Sequence, residues 1–156
     1  MFALNPQDEI ATMYDFLSFT VGDYMTPNPV TISPQATLAE AQEQLERLGV
    51  NGLPVVDAGG AFVGIVTTMD VMRAFANPTS SLIPPYEEIM RRSVESAMTR
   101  KPITIAPEVP LSRVLGFLVQ KGIRCLPVCT EDGKLVGIVS REDVLRGLRD
   151  SVKRGS

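Results

Sequence analysis

The sequence predicts a mixed α/β (α+β) protein of two β-α-β-β-α repeats packed about a pseudo-twofold axis, and three observations carry that reading. The first is duplication. Shifting the chain by 73 residues lays Val21–Phe75 on Val94–Leu148 without a gap, and 21 of the 55 paired positions are identical. The second is alternation within each copy, where short β-branched runs are interleaved with stretches of helical apolar spacing. The third is size: a unit of 55 residues is too small to bury both faces of its own sheet, so the copies are expected to pack together.

The elements follow in order. Residues 1–20 form an N-terminal helical extension, where Asn5-Pro6 makes a cap and first helical position ahead of Ile10, Met13, Tyr14 and Leu17 on one face. Repeat 1 covers 21–75, a linker 76–93, repeat 2 94–148 and a C-terminal tail 149–156. Each repeat opens with a short extended piece, Pro29–Ser33 or Pro102–Ala106. A helix follows, with Leu38, Ala41, Leu45 and Leu48 on one face in the first copy and Leu111, Val114, Leu115 and Leu118 in the second. Thr37 and Glu40 fit a capping box, Pro110 stands at the matching cap, and Gly49 and Gly122 stop the helices. Two β-branched runs come next in the first copy, Leu53–Asp57 and Phe62–Thr67, turning at Ala58-Gly59-Gly60; the second copy turns at Glu131-Asp132-Gly133. Closing amphipathic helices begin near Thr68 and Arg141. In the linker, Asn77-Pro78 and Pro84-Pro85 break regular structure before two helical turns over Tyr86–Arg92.

Composition narrows the function. The 156 residues are 44% apolar and carry a net charge of −3, against the basic surface a dedicated nucleic-acid binder needs. No apolar run is long enough to span a membrane, and the N-terminus lacks the pattern of a signal peptide, so a cytoplasmic location is expected. There is no histidine, the commonest general base and metal ligand. Cys125 and Cys129 stand alone as C-x3-C and read as reduced thiols in a buried strand; zinc would need two further ligands. Neither a metal nor a catalytic residue is expected.

The informative motif lies at the end of the third strand, where the copies read Gly64-Ile65-Val66-Thr67-Thr68-Met69-Asp70 and Gly137-Ile138-Val139-Ser140-Arg141-Glu142-Asp143. Structurally, Thr67 and Ser140 cap the last helix and the aspartates complete a capping box. Functionally, a hydroxyl and free N–H groups at a helix start can hold a polar ligand group, and a carboxylate can accept both hydroxyls of a ribose. Gly64 and Gly137 leave room for a flat base to approach the strand.

The order of M-T-x-x-P, L-P-V and G-h-h-[T/S]-x-x-D (h apolar) in a β-α-β-β-α unit resembles the cystathionine β-synthase (CBS) domain. Two in tandem resemble a Bateman module, as in the γ subunit of AMP-activated protein kinase and in IMP dehydrogenase. The resemblance implies a non-catalytic regulatory module that binds adenosine-containing ligands (AMP, ADP, ATP, S-adenosylmethionine or NAD) in clefts between the repeats, and that forms homodimers. Asp70 and Asp143 would then hold ribose, with Thr67 and Ser140 as hydroxyl partners. The Asp70 cleft would add Ile65, Thr99, Thr104, Ile123 and Arg124; the Asp143 cleft would add Ile138, Thr26, Thr31, Val50 and Asn51. The resemblance places a basic residue at Arg124 to meet phosphate; Asn51 departs from that pattern. Charge follows the same asymmetry: repeat 1 carries −4 and repeat 2 +2, with Arg100, Lys101, Arg124 and Arg141 close to motif positions.

Two other functions compete. One is a dimerisation or protein-interaction module that binds no nucleotide; an effector protein or domain is a possible partner in either case. The other is an enzyme, against which stand the missing histidine and the lack of clustered carboxylates beyond the caps.

Overall fold

A computed structural model describes residues 15–76 and 85–154. The helix expected over Ile10, Met13 and Tyr14 lies mostly outside these residues, as does Asn77-Pro78; residues 15–18 are helical and bury Phe16. In chain order the elements are α1 (Val21–Tyr24), β1 (Thr26–Pro27), α2 (Leu38–Leu48), β2 (Gly52–Val56), β3 (Phe62–Thr67), α3 (Thr68–Phe75), α4 (Tyr86–Met90), α5 (Val94–Ala97), β4 (Thr99–Arg100), α6 (Leu111–Lys121), β5 (Cys125–Cys129), β6 (Leu135–Ser140) and α7 (Arg141–Arg154). Mixed helices and two small antiparallel sheets confirm the expected fold class.

The chain divides into two compact units that do not coincide with the sequence repeats. One is Pro29–Ile103; the other joins Met1–Asn28 to Thr104–Ser156. In the first, the hairpin β2–β3 pairs Leu53 with Val66 and Pro54 with Ile65, and β3 then pairs with β4 through Ile65 opposite Thr99. In the second, β5–β6 pairs Leu126 with Val139, and β6 pairs with β1 through Ile138 opposite Thr26. Each sheet is therefore completed by the short M-T strand of the other repeat. Both of these strands stop after two residues because Asn28 and Lys101 turn into the left-handed region at φ +47°.

The extended pieces expected at Pro29–Ser33 and Pro102–Ala106 shrink to single parallel bridges, Ile32 to Val55 and Ile105 to Val128. Proline flanks each piece on both sides (Pro29 and Pro34; Pro102 and Pro107) and removes the N–H groups a longer ladder requires.

Helices start and stop where their chemistry directs. The Thr37 hydroxyl accepts from the Glu40 N–H while the Glu40 carboxylate accepts from Thr37, and Gly49 ends α2 at φ +64°. Pro110 precedes α6 without a side-chain cap, and Gly122 ends it at φ +63°. α7 runs on to Arg154, so the segment expected as a tail begins as helix; Ser151 is buried there and donates to the Leu148 carbonyl at 2.6 Å.

Each unit has its own core. In the continuous unit, Ala41 and Leu45 of α2 pack against Leu53, Val55 and Val66 of the sheet and against Val94. Ile89 and Met90, on the short α4, join Leu38 and Val71 in a second cluster. In the other unit, Phe16, Phe19 and Val21 pack with Leu111, Val114 and Leu118 of α6 and with Val128, Val139 and Val144. Burial of such side chains stabilises by about 1.5–3 kcal/mol apiece, which is what holds these short strands in register.

Candidate functional site

Both motif aspartates are almost fully buried, Asp70 at 3% exposure and Asp143 at 4%. The capping box fixes one oxygen of each. Oδ2 of Asp70 accepts from the Thr67 N–H at 2.9 Å and its hydroxyl at 3.0 Å, while the Asp70 N–H donates back to Thr67 Oγ1 at 3.2 Å. Asp143 repeats the arrangement with Ser140, at 2.8 and 3.0 Å, and at 3.4 Å for the return bond. A carboxylate so held costs little to bury because its lone pairs are used. Its second oxygen is left pointing away from the cap.

The two second oxygens meet different partners. Oδ1 of Asp70 accepts from the Thr99 hydroxyl at 3.2 Å and lies 3.6 Å from the Arg73 guanidinium. Oδ1 of Asp143 accepts from Arg146 at 2.8 Å, and the same nitrogen of Arg146 donates to the Tyr24 carbonyl at 3.1 Å. Arg73 and Arg146 are identical in the two copies and stand one helical turn after the aspartate, at the i,i+3 spacing of facing side chains. That spacing, visible in the sequence, is the signal by which both arginines could have been added to the site.

Of the residues expected at the Asp70 site, Ile65, Thr67, Asp70 and Thr99 come together in the continuous unit through the β3–β4 pairing. Thr104, Ile123 and Arg124 belong to the unit of Asp143. There Arg141 donates from Nε to the Ile123 carbonyl at 3.0 Å and from its backbone N–H to the Arg124 carbonyl at 3.1 Å. Ile138, Ser140 and Asp143 join Thr26 in that unit. Thr31, Val50 and Asn51 belong to the unit of Asp70, where the Asn51 carbonyl accepts from the Thr68 N–H at 3.0 Å.

The strand glycines serve a different purpose from the one expected. A Cβ on Gly64 would stand 2.6 Å from the Thr99 carbonyl oxygen, and one on Gly137 would stand 2.9 Å from that of Thr26 and 2.5 Å from Met25 Sδ. The space over these glycines is filled by the incoming M-T strand, not left for a base. Glycine is required so that β4 and β1 can approach.

Cys125 and Cys129 are free, at opposite ends of β5. Burial, with the Glu142 charge adding to it, pushes the Cys125 thiol up to about 11, and burial also raises that of Cys129. Among the described residues no group of three or more metal-ligating side chains stands together, and no helix is long and apolar enough to cross a membrane.

Resemblances to known proteins agree with this geometry. The CBS domain model matches residues 21–77 and 88–150. Inosine-5′-monophosphate dehydrogenase of Korarchaeum cryptofilum is 36% identical over 115 residues, covering 74% of this chain and 21% of that protein. The chain thus spans only about a fifth of the length of that curated relative. Among solved structures, CBSX2 of Arabidopsis thaliana in complex with AMP is 33% identical with a TM-score of 0.71, over 85% of this chain and 97% of that one. The CBS domain pair of protein MJ0100, solved with 5′-methylthioadenosine and S-adenosyl-L-methionine, is 30% identical with a TM-score of 0.68, over 82% and 94%. Duplicated motif, paired capping boxes and the match of both repeats converge: this chain belongs to the CBS-domain family and carries two CBS domains in tandem.

Proposed function

We propose that the chain is a regulatory module without catalysis of its own, which binds an adenosine-containing ligand (AMP, ADP, ATP, S-adenosylmethionine or NAD) through its ribose at Asp70 and Asp143. The observation behind this reading is the half-committed carboxylate. One oxygen is locked in the helix cap, while among the described residues Oδ1 of Asp70 takes a 3.2 Å hydroxyl bond and a 3.6 Å ion pair with the exposed Arg73 guanidinium. An ionised carboxylate accepts only, and a ribose diol supplies two donors that match it. The relatives solved with AMP and with S-adenosylmethionine hold ligands that share an adenosine, which supports the same class here. Arg124 in one copy and Asn51 in the other distinguish the two sites, the arginine favouring phosphate. The adenosyl compound acts as a ligand, not a cofactor.

Thermal unfolding with a panel of adenosine compounds tests the reading. At a hundredfold excess over Kd one site adds about 2.7 kcal/mol of stability. No shift with any member of the panel overturns it.

A second reading, self-association or docking of an effector through the closing helices, is favoured by a specific feature. Met72 on α3 and Leu145 on α7 occupy matching positions and are 63% and 62% exposed. Their apolar neighbours Val71, Phe75, Val144 and Leu148 pack within their own units, which leaves a narrow exposed face.

A further inference from the structure

A cavity of about 430 Å³ opens beside Asp70, lined by Asp70, Arg73, Ala74, Arg92, Ser96 and Ala97. We propose that this cavity is an anion site that takes the phosphoryl group of a small phosphorylated molecule between the guanidiniums of Arg73 and Arg92.

The other unit supplies an internal control for the same backbone. At the 73-residue offset, Arg92, Ser96 and Ala97 correspond to Phe19, Asp23 and Tyr24. Phe19 is buried there, its ring 5.1 Å from that of Tyr24, and the Tyr24 hydroxyl donates to Asp150 at 2.8 Å. Arg146, the counterpart of Arg73, is drawn in to Asp143 at 2.8 Å. That corner is filled with aromatic rings and its arginine is neutralised. Beside Asp70 the same corner has Ala97 in place of the tyrosine and Arg92 in place of the phenylalanine. Arg73 stays 3.6 Å from its carboxylate with a side chain 70% exposed.

The charge balance points to an anion. Two guanidiniums line the cavity against one carboxylate, whose Oδ2 is already held by the cap. The Arg92 side chain makes no hydrogen bond or ion pair among the described residues. The Ser96 hydroxyl is committed to the Ser93 carbonyl at 2.6 Å, so the arginines are the donors. Guanidinium forks match phosphate oxygens in bidentate geometry, which fixes orientation as well as charge. The volume, within the range of small-molecule pockets, leaves room for the body of a phosphate ester. The assignment stands whether that group is the 5′-phosphate of a nucleotide held at Asp70 or belongs to a free phosphate ester, so it does not rest on the ribose reading.

The test is calorimetric titration of the parent chain, Arg73→Gln, Arg92→Gln and Ala97→Tyr with AMP, adenosine and glycerol phosphate. Both glutamine variants change exposed side chains and leave the cores intact. AMP should lose about tenfold in affinity in each glutamine variant while adenosine is unchanged, as expected for one lost charged contact. Glycerol phosphate should bind the parent and fail to bind Arg92→Gln or Ala97→Tyr. Glycerol phosphate binding that is lost in Arg92→Gln, with no adenosine compound binding at all, supports the anion site and sinks the nucleotide reading alone. AMP and adenosine binding in the same ratio in parent and variants, with no binding of glycerol phosphate, overturns the anion site and leaves the nucleotide reading standing.

Discussion

The Thr99 hydroxyl donates to Oδ1 of Asp70 across 3.2 Å, from a strand that enters the chain 29 residues later. The bond joins the M-T motif of one repeat to the aspartate motif of the other. A carboxylate already fixed by its own helix cap is thereby fixed a second time, by a strand from outside its repeat. Positioning of the Asp70 carboxylate and completion of that sheet are thus one structural event.

Asp70→Asn and Asp70→Ala separate the cap from the ligand. The asparagine keeps a capping oxygen and should unfold within about 0.5 kcal/mol of the parent, whereas alanine should cost about 1 kcal/mol. Both should lose roughly 1.5–3 kcal/mol of adenosine affinity at one site only, since a charged acceptor is gone in each. Asp143 variants should do the same at the other. Calorimetry beside denaturant melts reads both quantities; affinities that survive in all four variants would reduce the aspartates to helix caps.

Gly64→Ala should be more damaging than its size suggests. The added carbon meets the Thr99 carbonyl at 2.6 Å, a backbone atom that moves only if β4 moves. Overpacking of this kind costs about 1–3 kcal/mol, and displacing β4 should also weaken ligand binding at Asp70. Gly137→Ala meets Thr26 in the same way. Stability equal to the parent in both would show that the strands yield freely.

Arg146→Ala should improve binding at Asp143. The arginine occupies Oδ1 at 2.8 Å, so a ribose diol must share or displace it. Because the Arg146 side chain is 48% exposed, the pair contributes no more than about 1 kcal/mol to stability. Titration of adenosine into Arg146→Ala, in an Asp70→Asn background that isolates the second site, should show tighter binding than the background alone. Weaker binding would make Arg146 part of the ligand cradle.

Cys125 should resist alkylation at neutral pH, because its thiol holds its proton up to about 11. Between the ordinary value of 9.0 and about 11 the native chain binds a proton that the unfolded chain has lost. This contribution to stability is complete below pH 9 and falls away as pH rises through 11. Denaturant melts across that window should therefore fall more steeply for the parent than for Cys125→Val. Equal slopes would remove the linkage.

Met72→Glu and Leu145→Glu test association. If the closing helices meet a second copy, light scattering should show a dimer for the parent and a mass near 17 kDa for the variants. A parent already at that mass would exclude the dimer.

The sequence makes the caps and the main strands legible because each is written locally. Thr37 with Glu40, Thr67 with Asp70 and the helix-ending Gly49 and Gly122 each declare a boundary within four residues. The two-residue strands β1 and β4 carry no alternating pattern to read, and their exchange between repeats is decided by tertiary pairing alone. The role of Gly64 was hidden for the same reason, since nothing nearby in sequence shows that Thr99 passes over it. The cavity beside Asp70 depends on what Ala97 lacks beside Tyr24, and a missing side chain has meaning only once its surroundings are known.

The exchange of M-T strands also leaves one compact unit continuous along the chain and the other discontinuous. Pro29–Ile103 is an unbroken stretch of 75 residues. The other unit must bring residues before Asn28 to residues after Thr104 across that whole insertion, at a loop-closure cost of about 4 kcal/mol. The continuous unit carries no such closure across an insertion. Although the sequence is doubled end to end, the compact units of the folded chain are not the two copies that the duplication laid down.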